Sequence, residues 1–514
     1  GVQVSQGDGV DGGSTRITIR GNNSLKGNNQ PLIVVDNVPM ENTPGFENIG
    51  RGVDWGNPLS DINPHDIEDY TVLKGGAASA LYGSRGANGV ILITTKRGTK
   101  RKGIGVTYNY TYKMIQPYRF REMQNKYGAG GPISFTPPSF PMDGDTLLYP
   151  GIYGNDHLVI NQDGDVSSTT AEFGYYGSAV SWGPEMQGQS VRWWDGQMRA
   201  YAPQSDNYES AFRTGNTQTH NISASGGSEK GSMRVSLTRQ DHTPIIENSN
   251  YNRTTINLGA NLKISDQLRA DLSFSYINFN RLNSPTLGDE WNTSFNKGYL
   301  YSWPRSYQNL DRANYELPDG SRNPQEGYPL QYVSPYLWWN YYNWNTNLSR
   351  DTYLGALTLT YDITSWMSLM GRIGRDFTTE QYETTHKPVD LVGLQEGYYS
   401  NSLKRTYSDI FEAYLKLFKE GLFSDRLNAD FTLGVSRWDY NLYGINGHSG
   451  TWYYPNMYFF GNYTETTYGT DPDGNTIVDE LGNSASDMVP GEQVRQERNN
   501  SVFGFLNLSY DNWI

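Results

Sequence analysis

The sequence predicts a transmembrane antiparallel β-barrel preceded by a small α+β domain. Three observations carry that expectation: an apolar/polar alternation repeated about ten times after residue 102, connections that are short and long in turn, and a glycine- and tyrosine-rich composition. Glycine supplies 56 of the 514 residues, about 11% against a usual value of about 7%, and tyrosine 39, while charged residues are only 18%. Forty-one Lys and Arg stand against 54 Asp and Glu, a net charge of −13, the wrong sign for neutralising phosphates, so nucleic acid is not an expected partner. Without Cys there is no disulfide framework, thiolate nucleophile or Cys-ligated metal, and the redox compartment stays open. A spanning helix needs about 20 mostly apolar residues, and the aliphatic runs Leu32 to Val35 and Val90 to Ile93 are far shorter. A membrane strand needs only one apolar face, so a hydrophilic mean hydropathy is compatible with a barrel.

Residues 1 to 102 mix short aliphatic strands (Ile17 to Ile19, Leu32 to Val35, Val90 to Thr94) with a helix-like stretch at Ala77 to Tyr82, the texture of a compact α+β unit. From Gly103 the period becomes two: Ile104, Val106, Tyr108, Tyr110 and Tyr112 interleave with Gly105, Thr107, Asn109, Thr111 and Lys113. Leu258 alternates with Asn257 and Asn261 in one strand and Leu272 with Ser273 in the next, and the two are joined by a tight turn. Further strands are expected near 216 to 226, 230 to 242, 351 to 362, 366 to 379, 405 to 420, 425 to 440 and 499 to 514. Short turns (227 to 229, 265 to 267, 363 to 365, 421 to 424) alternate with long loops (114 to 215, 243 to 251, 281 to 350, 380 to 404, 441 to 498), as periplasmic turns alternate with extracellular loops in outer-membrane barrels. A soluble sandwich explains any one strand equally well but not the series. Tyr110, Tyr112, Trp366, Trp438 and Trp513 are expected in the interfacial girdle.

Four segments in order, IRGNNSL (Ile19 to Leu25), PLIVVDNVP (Pro31 to Pro39), LSDINPHDIEDYTVLK (Leu59 to Lys74) and the stretch from Tyr70 to Gly98 containing LYGSRGANGVILITT, resemble the plug domain of SusC-like TonB-dependent outer-membrane transporters, the SusC/RagA family. Gly75-Gly76 stands where that family commonly has Asp and a small residue. The resemblance implies a plug domain over residues 1 to 102 inside the lumen and a barrel wall over 103 to 514. Plug-motif positions are Gly21, Tyr82, Gly83, Arg85, Gly86 and Gly89, although their glycines serve equally well as turn geometry alone. It places Arg20 and Lys74 where plug cations meet barrel-wall carboxylates, a lock between plug and barrel; the plainer reading is solvated surface charge. A lumen holding such a plug needs about 22 strands. The chain is therefore expected to be most of a plug plus the first ten or so strands, lacking a signal sequence, the TonB-contacting segment and roughly twelve strands.

Other motifs carry less. Gly7, Gly9 and Gly12 satisfy G-x-G-x-x-G, but a strand from Arg16 to Arg20 follows where a nucleotide-binding helix would stand. Lys96, Arg97, Lys100, Arg101 and Lys102 sit at the plug-to-barrel junction and are expected to meet periplasmic solvent or lipid head groups. Asp471, Asp473, Asn475 and Asp479 lack the Gly and terminal Glu of a calcium loop. None of the six His forms H-E-x-x-H, and there is neither a G-x-S-x-G elbow nor a P-loop. No catalytic residue, metal or cofactor is expected. Trp193, Trp194, Trp303, Trp338, Trp339 and Trp344 are candidate substrate or partner contacts, or else pack loop against loop.

As the resemblance implies it, the function is energised import across the bacterial outer membrane of a nutrient too large for porins, an oligosaccharide first and a peptide second. The implied partners are a SusD-like surface lipoprotein and TonB, energised by ExbB and ExbD. The alternatives are a barrel that binds protein or serves a secretion machine without uptake, and a surface hydrolase. The register also makes a prediction. Val106, Leu258, Leu272, Leu357 and Leu433 should face lipid, and Asn109, Asn261, Ser273, Thr358 and Thr432 the lumen. A spin label at Leu258 should therefore respond to lipid-soluble relaxation agents; a response only to aqueous ones would refute the register.

Overall fold

The structure is a computed structural model that describes residues 1–6, 13–22, 24–25, 29–42, 54–75, 78, 82–99, 103–120, 122–128, 142–143, 146–150, 157–161, 171–172, 185–188, 190–192, 198–204, 206–284, 305–306, 315–321, 337–387, 397–421, 427–449 and 491–510. Strands β1 (Val2–Gln6) and β2 (Thr15–Ile19) form an antiparallel pair. Strands β3 (Leu32–Val35), β4 (Val38–Met40), β5 (Ile67–Leu73) and β6 (Val90–Thr95) form a four-stranded sheet ordered β4-β3-β6-β5, parallel only between β3 and β6. The β3–β4 hairpin explains PLIVVDNVP. Asp36 and Asn37 take φ of 47° and 70°, the left-handed pair that a two-residue type I′ turn requires. Asp36 then accepts from the Thr95 backbone N–H at 3.0 Å and its hydroxyl at 2.6 Å, tying the hairpin to β6. Of the expected helix at Ala77 to Tyr82, the described residues Ala78 and Tyr82 are helical, and a 3-10 turn at Gly83–Gly86 follows.

Ten strands make the large sheet. β7 (Ile104–Ile115) pairs with β14 (Gly215–Ser228), and from there β15 (Gly231–Thr243), β16 (Asn250–Lys263), β17 (Leu268–Leu282), β18 (Trp344–Thr364), β19 (Met367–His386), β20 (Tyr398–Lys419), β21 (Leu427–Ser449) and β22 (Gly491–Tyr510) follow as an antiparallel meander. Six short strands lie between β7 and β14: β8 (Met142–Asp143), β9 (Thr146–Pro150), β10 (His157–Asn161), β11 (Ala171–Glu172), β12 (Ser190–Arg192) and β13 (Met198–Ala200). A seven-residue helix, α1 (Leu337–Asn343), precedes β18. Among the described residues no helix is long and apolar enough to cross a membrane.

The sheet has two unlike faces. In β16 Arg253, Thr255 and Asn257 are buried while Ile256 is exposed, and in β17 Ser273 and Ser275 are buried while Leu272 and Phe274 are exposed. The exposed face presents Met233, Val235, Leu237, Tyr353, Leu359, Tyr361, Ile373 and Leu433. Along β18 this apolar stretch runs from Tyr353 to Tyr361; at about 3.4 Å per residue and a tilt of about 40°, it rises roughly 21 Å, close to the ~25 Å apolar band of an outer-membrane barrel. Val106, Leu272 and Leu433 lie on this face. The sheet is a barrel wall, and the small domain packs on its polar side. Ile19, Ile33, Val35, Val38 and Met40 share one apolar cluster with Leu354 and Ala356 of β18.

The strands run further than expected at the long-loop end. β19 continues to His386 instead of ending at 379, β20 starts at Tyr398 instead of 405, and β21 reaches Ser449 instead of 440. Past the membrane the outer face no longer has to be apolar, so the ladder persists after the alternation fades.

Gly89 illustrates local fit in the small domain. Its φ is +93°, and a Cβ there would lie 2.7 Å from Ile19 Cδ1 and 3.1 Å from the Leu73 carbonyl oxygen. Gly89→Ala should cost about 1–3 kcal/mol through strain and displacement of Ile19. Hydrogen exchange of β5 and β6 in the full-length protein should rise while that of the wall strands stays unchanged.

Candidate functional site

The site lies where the plug meets the wall, and its plug side is built by two short turns of the same design. Asn57 caps a 3-10 turn at Pro58–Asp61, and Asn63 caps another at Pro64–Asp66. In each, Asn accepts a backbone N–H and Pro fills the first turn position, where its missing N–H costs nothing. The repeated Asn-Pro start brings Asp61 and Asp66 to the ends of the two turns. Behind them, Asp54 accepts from the Ser14 backbone at 2.7 Å, the Ser14 hydroxyl at 2.6 Å and Gly56 N–H at 2.9 Å, and Asn57 donates to the Thr15 carbonyl at 2.9 Å.

The wall answers with arginines. Arg350 of β18 donates Nη1 to Asp61 at 2.7 Å and Nε to Glu380 of β19 at 2.7 Å, and its side chain is 1% exposed. Lys404 of β20 stands 3.6 Å from the other Glu380 oxygen, so two cations and two carboxylates balance. Arg234 of β15 bonds Asp66 Oδ1 at 2.8 Å, while Asn63 and Asn257 donate to Oδ2 at 2.7 and 2.5 Å. Arg253 of β16 donates to the Ser60 carbonyl at 2.7 Å, and Asp376 of β19 accepts the Glu41 backbone N–H at 3.0 Å. A buried ion pair offsets its desolvation only with good geometry and further hydrogen bonds, which Asn63 and Asn257 supply to Asp66 and a second carboxylate, Glu380, supplies to Arg350.

The sequence-derived candidates are placed as follows. Arg20 and Lys74 are exposed and form no ion pair among the described residues. Arg20, at φ 62°, lays its guanidinium against Gly75, where a Cβ would come within 3.3 Å of Nη1. The two buried plug-to-wall pairs, Asp61 with Arg350 and Asp66 with Arg234, have the opposite polarity to the expected lock, with the carboxylates on the plug. Of the motif residues, Gly21, Gly83 and Gly89 adopt positive φ and Gly86 is buried in the turn. Arg85 sits 4.1 Å above the Trp438 ring; burial lowers its pKa to about 10, leaving it charged at neutral pH. Burial, with Glu412 nearby, pushes the Tyr82 phenol up to about 12. Trp438 is 9% exposed and donates to Ser408 at 2.6 Å. It faces the plug, a correction to the expected girdle position, because its strand parity is inward.

The junction arginine Arg97 pairs with Asp271 of β17 at 3.0 Å while its side chain stays 31% exposed, so it meets solvent and the wall together. Lys96 donates to the His65 carbonyl at 2.8 Å; positions 100 to 102 lie outside the described residues. Among the aromatics, Trp338 and Trp339 are each 2% exposed, with Tyr341 and Tyr342 packed on Trp338 and the Lys387 ammonium 5.4 Å above Trp339. No ring face is open for a ligand there, a correction for those two residues. Trp344 is half-buried, edge-on to His386 at 4.9 Å. Trp193, Trp194, Trp303 and the acidic stretch from Asp471 to Asp479 lie outside the described residues. Sequence reading missed Asp61, Asp66, Arg234 and Arg350. The available signals were the doubled Asn-Pro turn and arginines at inward parity, since ionisable groups at membrane depth mark internal pairing.

The lock predicts an order of effects. Asp61→Ala leaves Arg350 with Glu380, whereas Arg350→Ala leaves Asp61 buried without its cation and Glu380 with Lys404 alone. Losing one partner of a buried pair costs about 3–5 kcal/mol, so Arg350→Ala should loosen the plug more than Asp61→Ala. Hydrogen exchange across residues 54–66 should show that order; equal protection in both variants would refute it.

Residues 1–90 match the family model for the TonB-dependent Receptor Plug Domain. Over 283 residues, 54% of this chain, the sequence is 30% identical to the TonB-dependent receptor SusC of Bacteroides thetaiotaomicron, of which the match covers 22%. The RagAB peptide importer in its closed-closed and open-open states is structurally similar, with TM-scores of 0.65 and 0.66 at 16% and 18% identity, covering 100% of this chain and 50% of that one. That likeness speaks for the fold. The chain spans about half the length of the solved structures and under a quarter of the curated relative. Residues 1–90 thus carry a TonB-dependent receptor plug domain, seated by ion pairs on a ten-stranded part of a barrel wall, and the chain is similar to SusC-like TonB-dependent receptors of the outer membrane.

Proposed function

We propose that residues 1 to 102 are the plug and 103 to 514 the N-terminal part of the wall of a TonB-dependent importer. Its substrate is an oligosaccharide, or a peptide, that enters beneath a SusD-like surface lipoprotein, and TonB with ExbB and ExbD supplies the pull. The supporting observation is the chemistry of the plug seat. Asp61 and Asp66 are held by Arg350 and Arg234 across a boundary that is polar as well as apolar. Such contacts are firm while dry and exchange for water contacts once the boundary hydrates, as a seal that must open and reclose requires. Arg20 and Lys74 extend the lock on this reading, pairing with wall carboxylates outside the described residues. Trp193, Trp194, Trp303 and Trp344 are the remaining candidates for substrate or partner contact.

The test uses cells expressing the full-length protein with and without TonB. Uptake of labelled oligosaccharides or peptides should require TonB, and Arg350→Ala should admit a bulky glycopeptide antibiotic that the wild type excludes. Absence of TonB-dependent uptake for both substrate classes, at normal surface expression, would favour a protein-binding or secretion role instead.

A further inference from the structure

The lipid-facing side of the wall bears a groove that barrel closure does not require. Strand register sets Leu357, Ile373, Phe411 and Arg437 in one row across β18 to β21, and Leu359, Gly371, Ala413 and Val435 in the next row toward the short turns. Gly371 and Ala413 lie side by side between larger neighbours, and the resulting groove holds about 630 Å³. A Cβ at Gly371 would meet nothing within 4 Å. The groove walls are Leu359, Ile373, Phe411, Val435 and Val502, an apolar channel suited to an acyl chain.

Its end toward the long loops is charged. Arg375 bonds both Asp409 oxygens at 2.5 and 2.7 Å, and Arg437 and Arg498 each give Nε to Asp439, at 2.7 and 2.5 Å. The carboxylate side chains are shielded, 13% and 14% exposed, whereas the arginines are 63%, 47% and 59% exposed. Three cations over two sheltered anions leave positive charge and free N–H edges facing outward. Asp409 takes the Nε and Nη2 edge of Arg375 and leaves Nη1 outside the pair, while Asp439 takes only Nε from each of Arg437 and Arg498; the remaining guanidinium N–H groups match phosphate oxygens.

We propose that this groove is a lipid site for one phosphate-bearing lipid of the outer leaflet, with an acyl chain along Gly371 and Ala413 and the phosphate on Arg375 and Arg437. The leaflet follows from polarity, because the charged residues lie at the end of the groove that points toward the long loops. The proposal is independent of the import reading, since it concerns the outer face alone.

The experiment uses full-length protein in phosphatidylcholine nanodiscs doped with phosphorylated lipid A or with its dephosphorylated form, and native mass spectrometry reads the lipid retained. The wild type should keep the phosphorylated form in preference. An Arg375→Gln, Arg437→Gln double variant should lose that preference by about tenfold, the scale of a charge-assisted contact. Gly371→Leu should reduce retention of both forms by filling the groove. Equal wild-type retention of the two forms would overturn the proposal, and so would unchanged retention in either variant that keeps normal folded-barrel mobility on gels. The wild-type comparison decides the question even where a variant fails to fold.

Discussion

Burial of the Arg350 guanidinium governs how the plug sits. A charge that is 1% exposed cannot be left unpaired in a protein interior, where isolated ions cost several kcal/mol even after relaxation. It therefore demands Asp61 and Glu380 together, one from the plug and one from the wall. Arg234 with Asp66 makes the same demand two strands from the start of the meander. Two such points fix the rotation of the plug within the wall. The apolar cluster joining Val35, Val38 and Met40 to Leu354 and Ala356 adds contact area, but hydrophobic burial is non-directional and sets no orientation.

The wall obeys a different constraint. Inside a membrane every backbone N–H and C=O must be bonded within the protein, so the ladder is continuous and only side chains change with depth. That separation explains what the sequence made legible. Alternation is written where one face meets lipid and the other a polar lumen, so β16 and β17 were readable almost to their ends. Beyond the bilayer both faces become polar. The tract Glu380 to His386 then looks like loop, although it is laddered to Tyr398 to Lys404.

The site was less legible for a reason of range. Parity alone assigns Arg234, Arg253 and Arg350 to the inner face, but nothing local says that Arg350 meets a residue 289 positions earlier. Family resemblance drew attention to the plug cations Arg20 and Lys74 and away from the carboxylates in LSDINPHD, which carry the contacts described. The doubled Asn-Pro turn was a local signal of shape, without any indication of the partner. Trp338 and Trp339 show the complementary difficulty. An aromatic run predicts a contact surface, and only packing reveals that the contact is with its own helix and neighbouring loop.

The polar contacts also divide the plug mechanically. The β1–β2 pair is tied through Ser14 to Asp54 and through Thr15 to Asn57, neutral or singly charged bonds that are partly open to water. Residues 56 to 66 are tied to the wall by Arg350, Arg234 and Arg253. These two sets stand in series along the chain, and the first is the weaker, because a net hydrogen bond is worth about 1 kcal/mol whereas breaking a buried ion pair costs about 3–5. Load applied at the N-terminal strands therefore meets the Ser14 and Thr15 bonds before it reaches the arginine seat. On the proposed pull from the periplasm, the N-terminal pair would detach first and the two Asn-Pro turns would stay on the wall, so the plug could yield in part while its orientation is retained for reclosure.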